Sequence, residues 1–240
     1  MLVTKSGTVY QLSFMPRAFP VNCYLVEEDD TLTLIDAALP FSTKAILHTV
    51  RTIGKPITEI VLTHAHMDHV GALDAVKEAY PKAVVSITAR DARLLAGDRR
   101  SLVDEPQSPV KGGLTKSIKT KPDRFLKEGD RIGSLQVVFT PGHTPGSLSL
   151  LDVRNRSLIA GDALHTRGGI AVSGTLKLLF PFPALATWNK VIALESAEKL
   201  RSLRPSLLAV GHGKMIQNPD QAFHKAIMES RNSLKIQNRN

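Results

Sequence analysis

At 240 residues, 42% hydrophobic and 22% charged, the chain has the composition of a globular protein long enough to bury one substantial core, which excludes disordered, collagen-like and coiled-coil classes. A single cysteine, Cys23, excludes an internal disulfide framework and a cysteine-rich metal cluster, and a reducing cytoplasm is the expected setting. The formal charge of +9 is spread along the chain and is densest between Arg99 and Arg131, where acidic residues dilute it and only Phe125 adds an aromatic ring, so a basic solvated surface is expected rather than a nucleic-acid groove.

Apolar runs of strand length recur in chain order at 31–36, 59–63, 83–87, 135–139, 148–152, 157–161 and 207–210. Helical patterns alternate with them. One spans 41–54, opening on Ser42 or Thr43 and closing on Gly54; a second spans 69–80 and stops before Pro81; a third spans 184–204 and stops before Pro205. Residues 153–157 read as a turn between antiparallel strands, and 97–123, poor in periodicity and rich in Pro, Gly and Lys, as a loop-rich insertion. Neither an internal repeat nor a linker divides the chain, so one α/β domain over 1–240 is expected. The most apolar stretch, 178–186, is short and broken by prolines, so neither export nor a membrane anchor is expected.

Four of these runs each deliver a metal-ligating residue just beyond their last position. The run at 59–63 leads into His64, that at 135–139 through Thr-Pro-Gly into His143, that at 157–161 into Asp162, and that at 207–210 through Gly211 into His212. Strand ends of one sheet are neighbours in space, where α/β architectures collect reacting groups. The densest cluster, His64-Ala65-His66-Met67-Asp68-His69, offers four potential ligands too close in sequence to converge on one ion without a compact turn, but able to divide between two. With His143, Asp162 and His212 the set is five histidines and two aspartates, borderline donors of the kind zinc takes.

The His-x-His-x-Asp-His motif at 64–69, Gly142-His143, Gly161-Asp162 and Gly211-His212 resemble the metallo-β-lactamase superfamily in order, spacing and flanking glycines. The resemblance runs from about Asn22 to His212 and implies a metallo-β-lactamase αβ/βα four-layer sandwich with a dinuclear site. It implies that His64, His66 and His143 hold one metal, that Asp68, His69 and His212 hold the other, and that Asp162 bridges them. Residues 21–39 also resemble small bacterial metallohydrolases of the lactonase and glyoxalase II type, which makes Asp36 a supporting residue behind the ligands. Two divalent ions, most simply zinc, sharing a water would lower its pKa to about 7 and give a hydroxide nucleophile, which Asp68 could orient or whose proton it could shuttle.

That chemistry does not choose among lactones, esters, thioesters and phosphodiesters; the surrounding loops must. Residues 14–20, just before the strand-like segment that begins at Val21, offer Phe19 as part of an apolar lip. Residues 165–174 offer His165 and Arg167, and residues 175–188 offer Phe180 and Phe182 as an apolar acyl-binding wall. His165 stands where quorum-quenching lactonases carry a tyrosine. The expected function is dinuclear hydrolysis of a small ester, a lactone or related ester or thioester. A phosphodiesterase and a mononuclear iron dioxygenase of the persulfide type are the alternatives. The expected partner is a small-molecule substrate, with no membrane or nucleic acid, and the apolar residues of 176–188 leave a homodimer open.

Overall fold

The computed structural model describes residues 1–115 and 117–237. Strands β1 (Leu2–Ser6) and β2 (Val9–Phe14) form a hairpin through Gly7-Thr8, where Gly7 adopts φ +56°. Strands β3 (Val21–Glu27) and β4 (Leu32–Ile35) continue the antiparallel meander. Helix α1 (Thr43–Ile53), closed by Gly54 at φ +83°, then crosses to β5 (Ile57–Val61), and the pairing becomes parallel. Short helices α2 (Met67–Val70) and α3 (Leu73–Ala79) lead to β6 (Val84–Thr88). Helix α4 (Ala89–Leu95) and the long insertion lead to β7 (Arg124–Leu126), completing a seven-stranded sheet in the order β1 to β7.

The second sheet is built from β8 (Arg131–Ile132), β9 (Leu135–Phe139), β10 (Leu148–Asp152) and β11 (Ser157–Ile159), all antiparallel. A small hairpin, β12 (Leu164–His165) with β13 (Ala171–Val172), precedes α5 (Phe182–Ala186) and α6 (Lys190–Ser202). The Asn189 side chain caps α6 by accepting from the Val191 and Ile192 amides, a cap worth about 1 kcal/mol. Strand β14 (Leu207–Ala209) returns parallel to β11, β15 (Ile216–Gln217) closes the edge, and α7 (Asp220–Gln237) packs against α6.

Three apolar clusters separate four layers. Leu34, Ile60, Val85, Ile46 and Val76 join the first sheet to α1 and α3. Val26, Val61, Val137, Leu150 and Ile159 fill the space between the sheets. Leu158, Leu208, Ala197, Leu200 and Phe223 join the second sheet to α6 and α7. This is the expected αβ/βα sandwich. Several inner strands, β3, β4, β10, β11 and β14, are buried on both faces, which is why they read as continuous apolar runs rather than alternating ones. The described residues of 97–123 form neither helix nor strand. Strands β1 and β2 lie before the first run expected from the sequence, and residues 14–20 lead from β2 into β3.

Candidate metal centre

The ligating residues sit where the strands stop. His64 follows β5 by three positions, His143 follows β9 by four, and Asp162 and His212 each lie three positions beyond β11 and β14. Turning the chain so abruptly requires unusual backbone: Gly142 adopts φ +135°, Gly161 φ +50°, and Asp36, just past β4, holds a left-handed φ of +60° despite its side chain. A Cβ on Gly161 would approach the Thr63 Oγ1 at 2.8 Å, and one on Gly211 would collide with the Asp162 carboxylate and the His69 ring. Glycine at 211 is therefore a packing requirement of the centre itself.

Each of the five imidazoles is fixed by one nitrogen and leaves the other facing inward. Asp36 Oδ2 lies 2.7 Å from His69 Nδ1, the Pro20 carbonyl 2.7 Å from His212 Nδ1, and Ser173 Oγ 2.8 Å from His143 Nδ1. Thr63 Oγ1 lies 3.0 Å from His64 Nδ1, and the Lys111 carbonyl 3.0 Å from His66 Nε2. An oxygen behind each ring sets its tautomer and orientation, the arrangement metal-ligating histidines use.

The inward atoms converge. His66 Nδ1 and His143 Nε2 are 2.9 Å apart, and Asp162 Oδ2 lies 3.4 Å from His143 Nε2 and 3.1 Å from His212 Nε2. Its Oδ1 is 3.4 Å from His69 Nε2, and Asp68 Oδ2 is 3.4 Å from His212 Nε2. Three sets could each hold an ion: His64, His66 and His143; His64, His69 and Asp162; and Asp68, His69 and His212, each with ligand atoms within 4.8 Å of one another. His64 Nε2, His69 Nε2 and Asp162 Oδ1 are buried without a hydrogen-bond partner among the described residues. Such orphaned groups cost about 1–3 kcal/mol apiece, and bound divalent ions would satisfy this donor set.

The electrostatics agree with that chemistry. Burial holds the His64 and His143 imidazoles well below their ordinary pKa and lowers that of His66, keeping them neutral donors. Burial would raise the Asp162 carboxyl, but His212 and His69 beside it overcome this and hold it well below the carboxylate range. Burial likewise disfavours charge on His69 and His212, yet the surrounding carboxylates, Asp162 first, raise both.

A buried carboxylate behind the centre joins its two principal loops. Asp91 Oδ2 accepts from the Ala65 amide at 2.9 Å and from Thr144 Oγ1 at 2.9 Å, while Oδ1 accepts from the Gly146 amide at 2.8 Å. The loop carrying His64 and His66 is thereby tied to the loop carrying His143. On the opposite side, Asn22 Nδ2 donates to the Val210 and Gly213 carbonyls, Tyr24 donates to Val210, and Gln11 donates to Gly213, clamping the turn that carries His212. Asp36 was legible from its place at a strand end. Asp91, Asn22, Tyr24 and Gln11 were missed, and their only signal was polar residues inside otherwise apolar segments.

A cavity of about 440 Å³ opens over the centre, with His66, Asp68, His143, Asp162 and His212 at its floor and Phe19, Leu39, Met67, Phe182 and Leu185 among its walls. Phe19 and Phe182 thus stand at the cavity, their rings 4.9 Å apart. The other three residues expected to touch substrate do not line it. Phe180 is buried behind Phe19, its centroid 5.1 Å from that ring and 5.4 Å from His212. His165 is buried, and Arg167 donates to the Arg17 carbonyl and lines a different cavity beside Gly213. Packing along one face of the 176–188 segment sets this placement: Phe180 turns inward, whereas Leu178, Leu179, Phe182 and Leu185 remain exposed.

The metallo-β-lactamase superfamily model matches residues 16–212. Uncharacterized protein YobT of Bacillus subtilis (strain 168) is 55% identical over 231 residues, covering 96% of this chain and 99% of the relative. Probable metallo-hydrolase YflN of the same organism is 31% identical over 214 residues, 80% of each chain. The crystal structure of TTHA1623 in a di-iron-bound form superposes with a TM-score of 0.64 at 27% identity, covering 88% of this chain and 96% of that one.

Proposed function

The chain belongs to the metallo-β-lactamase superfamily of metallo-hydrolases, and from that premise we propose that it is a dinuclear hydrolase of small carboxylic esters, with lactones or related esters and thioesters as substrates. The observation that carries this reading is the gathering of five imidazoles and two carboxylates into adjoining ligand sets, three of their atoms buried and unpartnered among the described residues. His64, His66 and His143 would hold one ion, Asp68, His69 and His212 the second, with Asp162 between them. Imidazole and carboxylate suit zinc and ferrous iron alike. Bound there, the ions would supply a Lewis acid and a water acidic enough to attack at neutral pH.

The chain's own residues account for the rest. Asp68 is the one carboxylate of the set with substantial exposure, 26% of its side chain, so the oxygen not given to the ion can take the proton of the attacking water from the cavity side. Phe19, Leu39, Phe182 and Leu185 would exclude water and grip an apolar acyl group. Gly112 and Gly113 bring backbone close to His66, where a side chain at 112 would collide with the ring. Proton release by metal-loaded protein, with a chelator control, tests the reading across an acyl lactone, a glutathione thioester, a β-lactam and a phosphodiester. Preferential acid release from the lactone or thioester is expected. Silence on both from protein carrying two metals would overturn the substrate class.

A further inference from the structure

Among the five ligating imidazoles, His66 is turned the other way. His64, His69, His143 and His212 are each backed at Nδ1 and face inward through Nε2, whereas His66 is backed at Nε2 and faces inward through Nδ1, 2.9 Å from His143 Nε2. The oxygens behind the other four belong to Thr63, Asp36, Ser173 and Pro20, each within two positions of a strand end. The oxygen behind His66 is the Lys111 carbonyl, from an insertion whose described residues form neither helix nor strand. A carbonyl on such a segment keeps its place only if something else ties the segment down.

Trp188 ties it. Its indole Nε1 donates to the Ser108 carbonyl at 2.9 Å, and its ring is buried in the same apolar cluster as Val110. Its backbone amide donates to the His143 carbonyl at 3.0 Å, and the next amide, of Asn189, to the Gly142 carbonyl at 2.9 Å. One residue therefore grips the turn carrying His143 through its backbone and the segment behind His66 through its side chain. That segment runs directly against His66. The Gly113 carbonyl accepts from the Met67 amide at 2.8 Å, Leu114 forms an isolated bridge with His66, and a Cβ on Gly112, at φ +86°, would collide with the His66 ring.

We propose that Trp188 is a positioning residue for the ion held by His64, His66 and His143. Its indole N–H fixes segment 108–114, the Lys111 carbonyl then keeps the His66 proton on Nε2, and the Nδ1 lone pair is left for the ion. The inference rests on the dinuclear reading and adds to it that one ion, not both, depends on the insertion. His69 and His212, which serve the other ion, are backed by Asp36 and Pro20 at the ends of β4 and β3.

Trp188 is the chain's single tryptophan, so growth on benzothienylalanine changes this position alone, putting sulfur in place of the indole N–H while keeping the ring. Trp188→Phe is the companion variant. Zinc-loaded wild-type and substituted proteins are compared by chelator competition and by NMR of the imidazole N–H protons. One of two zinc ions should bind about five- to ten-fold more weakly in the substituted proteins, as loss of one hydrogen bond implies, with the other unchanged. The His66 proton, the one carried on Nε2 in the ligating set, should exchange with water faster, and the Nδ1 protons of His69 and His212 should not. Equal weakening of both ions, unchanged affinity for both, or His66 exchange matching wild type would overturn the proposal. Wild-type protein that binds a single zinc would count against the dinuclear reading instead, and the His66 exchange comparison would still decide the role of Trp188.

Discussion

Asp91→Ala removes the carboxylate that couples the two principal loops of the metal centre. Three donors lose their acceptor: the Ala65 amide, Thr144 Oγ1 and the Gly146 amide, at 2.8–2.9 Å in a fully buried position. The hydroxyl can rotate to another partner, but the two amides cannot, and each unsatisfied buried donor costs about 1–3 kcal/mol. A loss of about 4 kcal/mol follows, which for a chain of this length is a drop of roughly 8–16 °C in thermal midpoint. Burial, working against the three donors, pushes the Asp91 carboxyl up to about 6. A folded pKa above the unfolded one contributes stability that is full below the unfolded value and lost as pH rises through the folded one. The gap between wild type and Asp91→Ala should therefore be about 1 kcal/mol wider at pH 5 than at pH 7. Thermal and urea unfolding at the two pH values, with metal content measured on the same samples, checks both numbers. A variant within about 1 kcal/mol of wild type at pH 7, still holding its full complement of metal, would refute the coupling role.

Other substitutions probe other parts of the account. Asp36→Asn weakens the hold on His69 Nδ1 and Thr63, and should lower metal affinity by about 10- to 100-fold in a chelator competition while the fold persists. Gly211→Ala drives a methyl into Asp162 and His69, and elemental analysis should find metal lost from the purified variant. Phe180→Ala, in a buried position, should cost about 3–5 kcal/mol of stability, whereas Phe182→Ala, at the cavity and half exposed, should leave the midpoint nearly unchanged and raise KM for long-chain lactones more than for short ones. Equal KM effects on both chain lengths would remove Phe182 from the acyl wall.

The strands that deliver the ligands were legible because each is a largely buried apolar run followed closely by a histidine or aspartate, in three of the four cases through a glycine. Runs predicted at 135–139 and 148–152 match β9 and β10 to the residue. The β1–β2 hairpin was harder to see, since β1 is exposed along its length and only the Gly7-Thr8 turn marks it. Helix α4, seven residues long, is too short to show a period. Asp91 could not be recognised from sequence because its three partners lie 26 to 55 positions away and meet only in the folded chain. The same holds for Asn22 and Tyr24, polar residues in the apolar β3 whose partners are some 190 positions distant. Phe180 and Phe182 could not be told apart for a related reason: two residues apart in a proline-broken segment, they carry no periodicity to say which turns inward.

The central claim is that two ions in this His and Asp centre drive hydrolysis. Its most direct test is to titrate metal-stripped protein with zinc and, separately, with ferrous iron, following bound metal and acid release from an acyl lactone together. Activity should rise from nothing to a plateau at two equivalents and vanish in His64→Ala and Asp162→Ala. A plateau at one equivalent, or turnover that persists in the stripped protein, would contradict it.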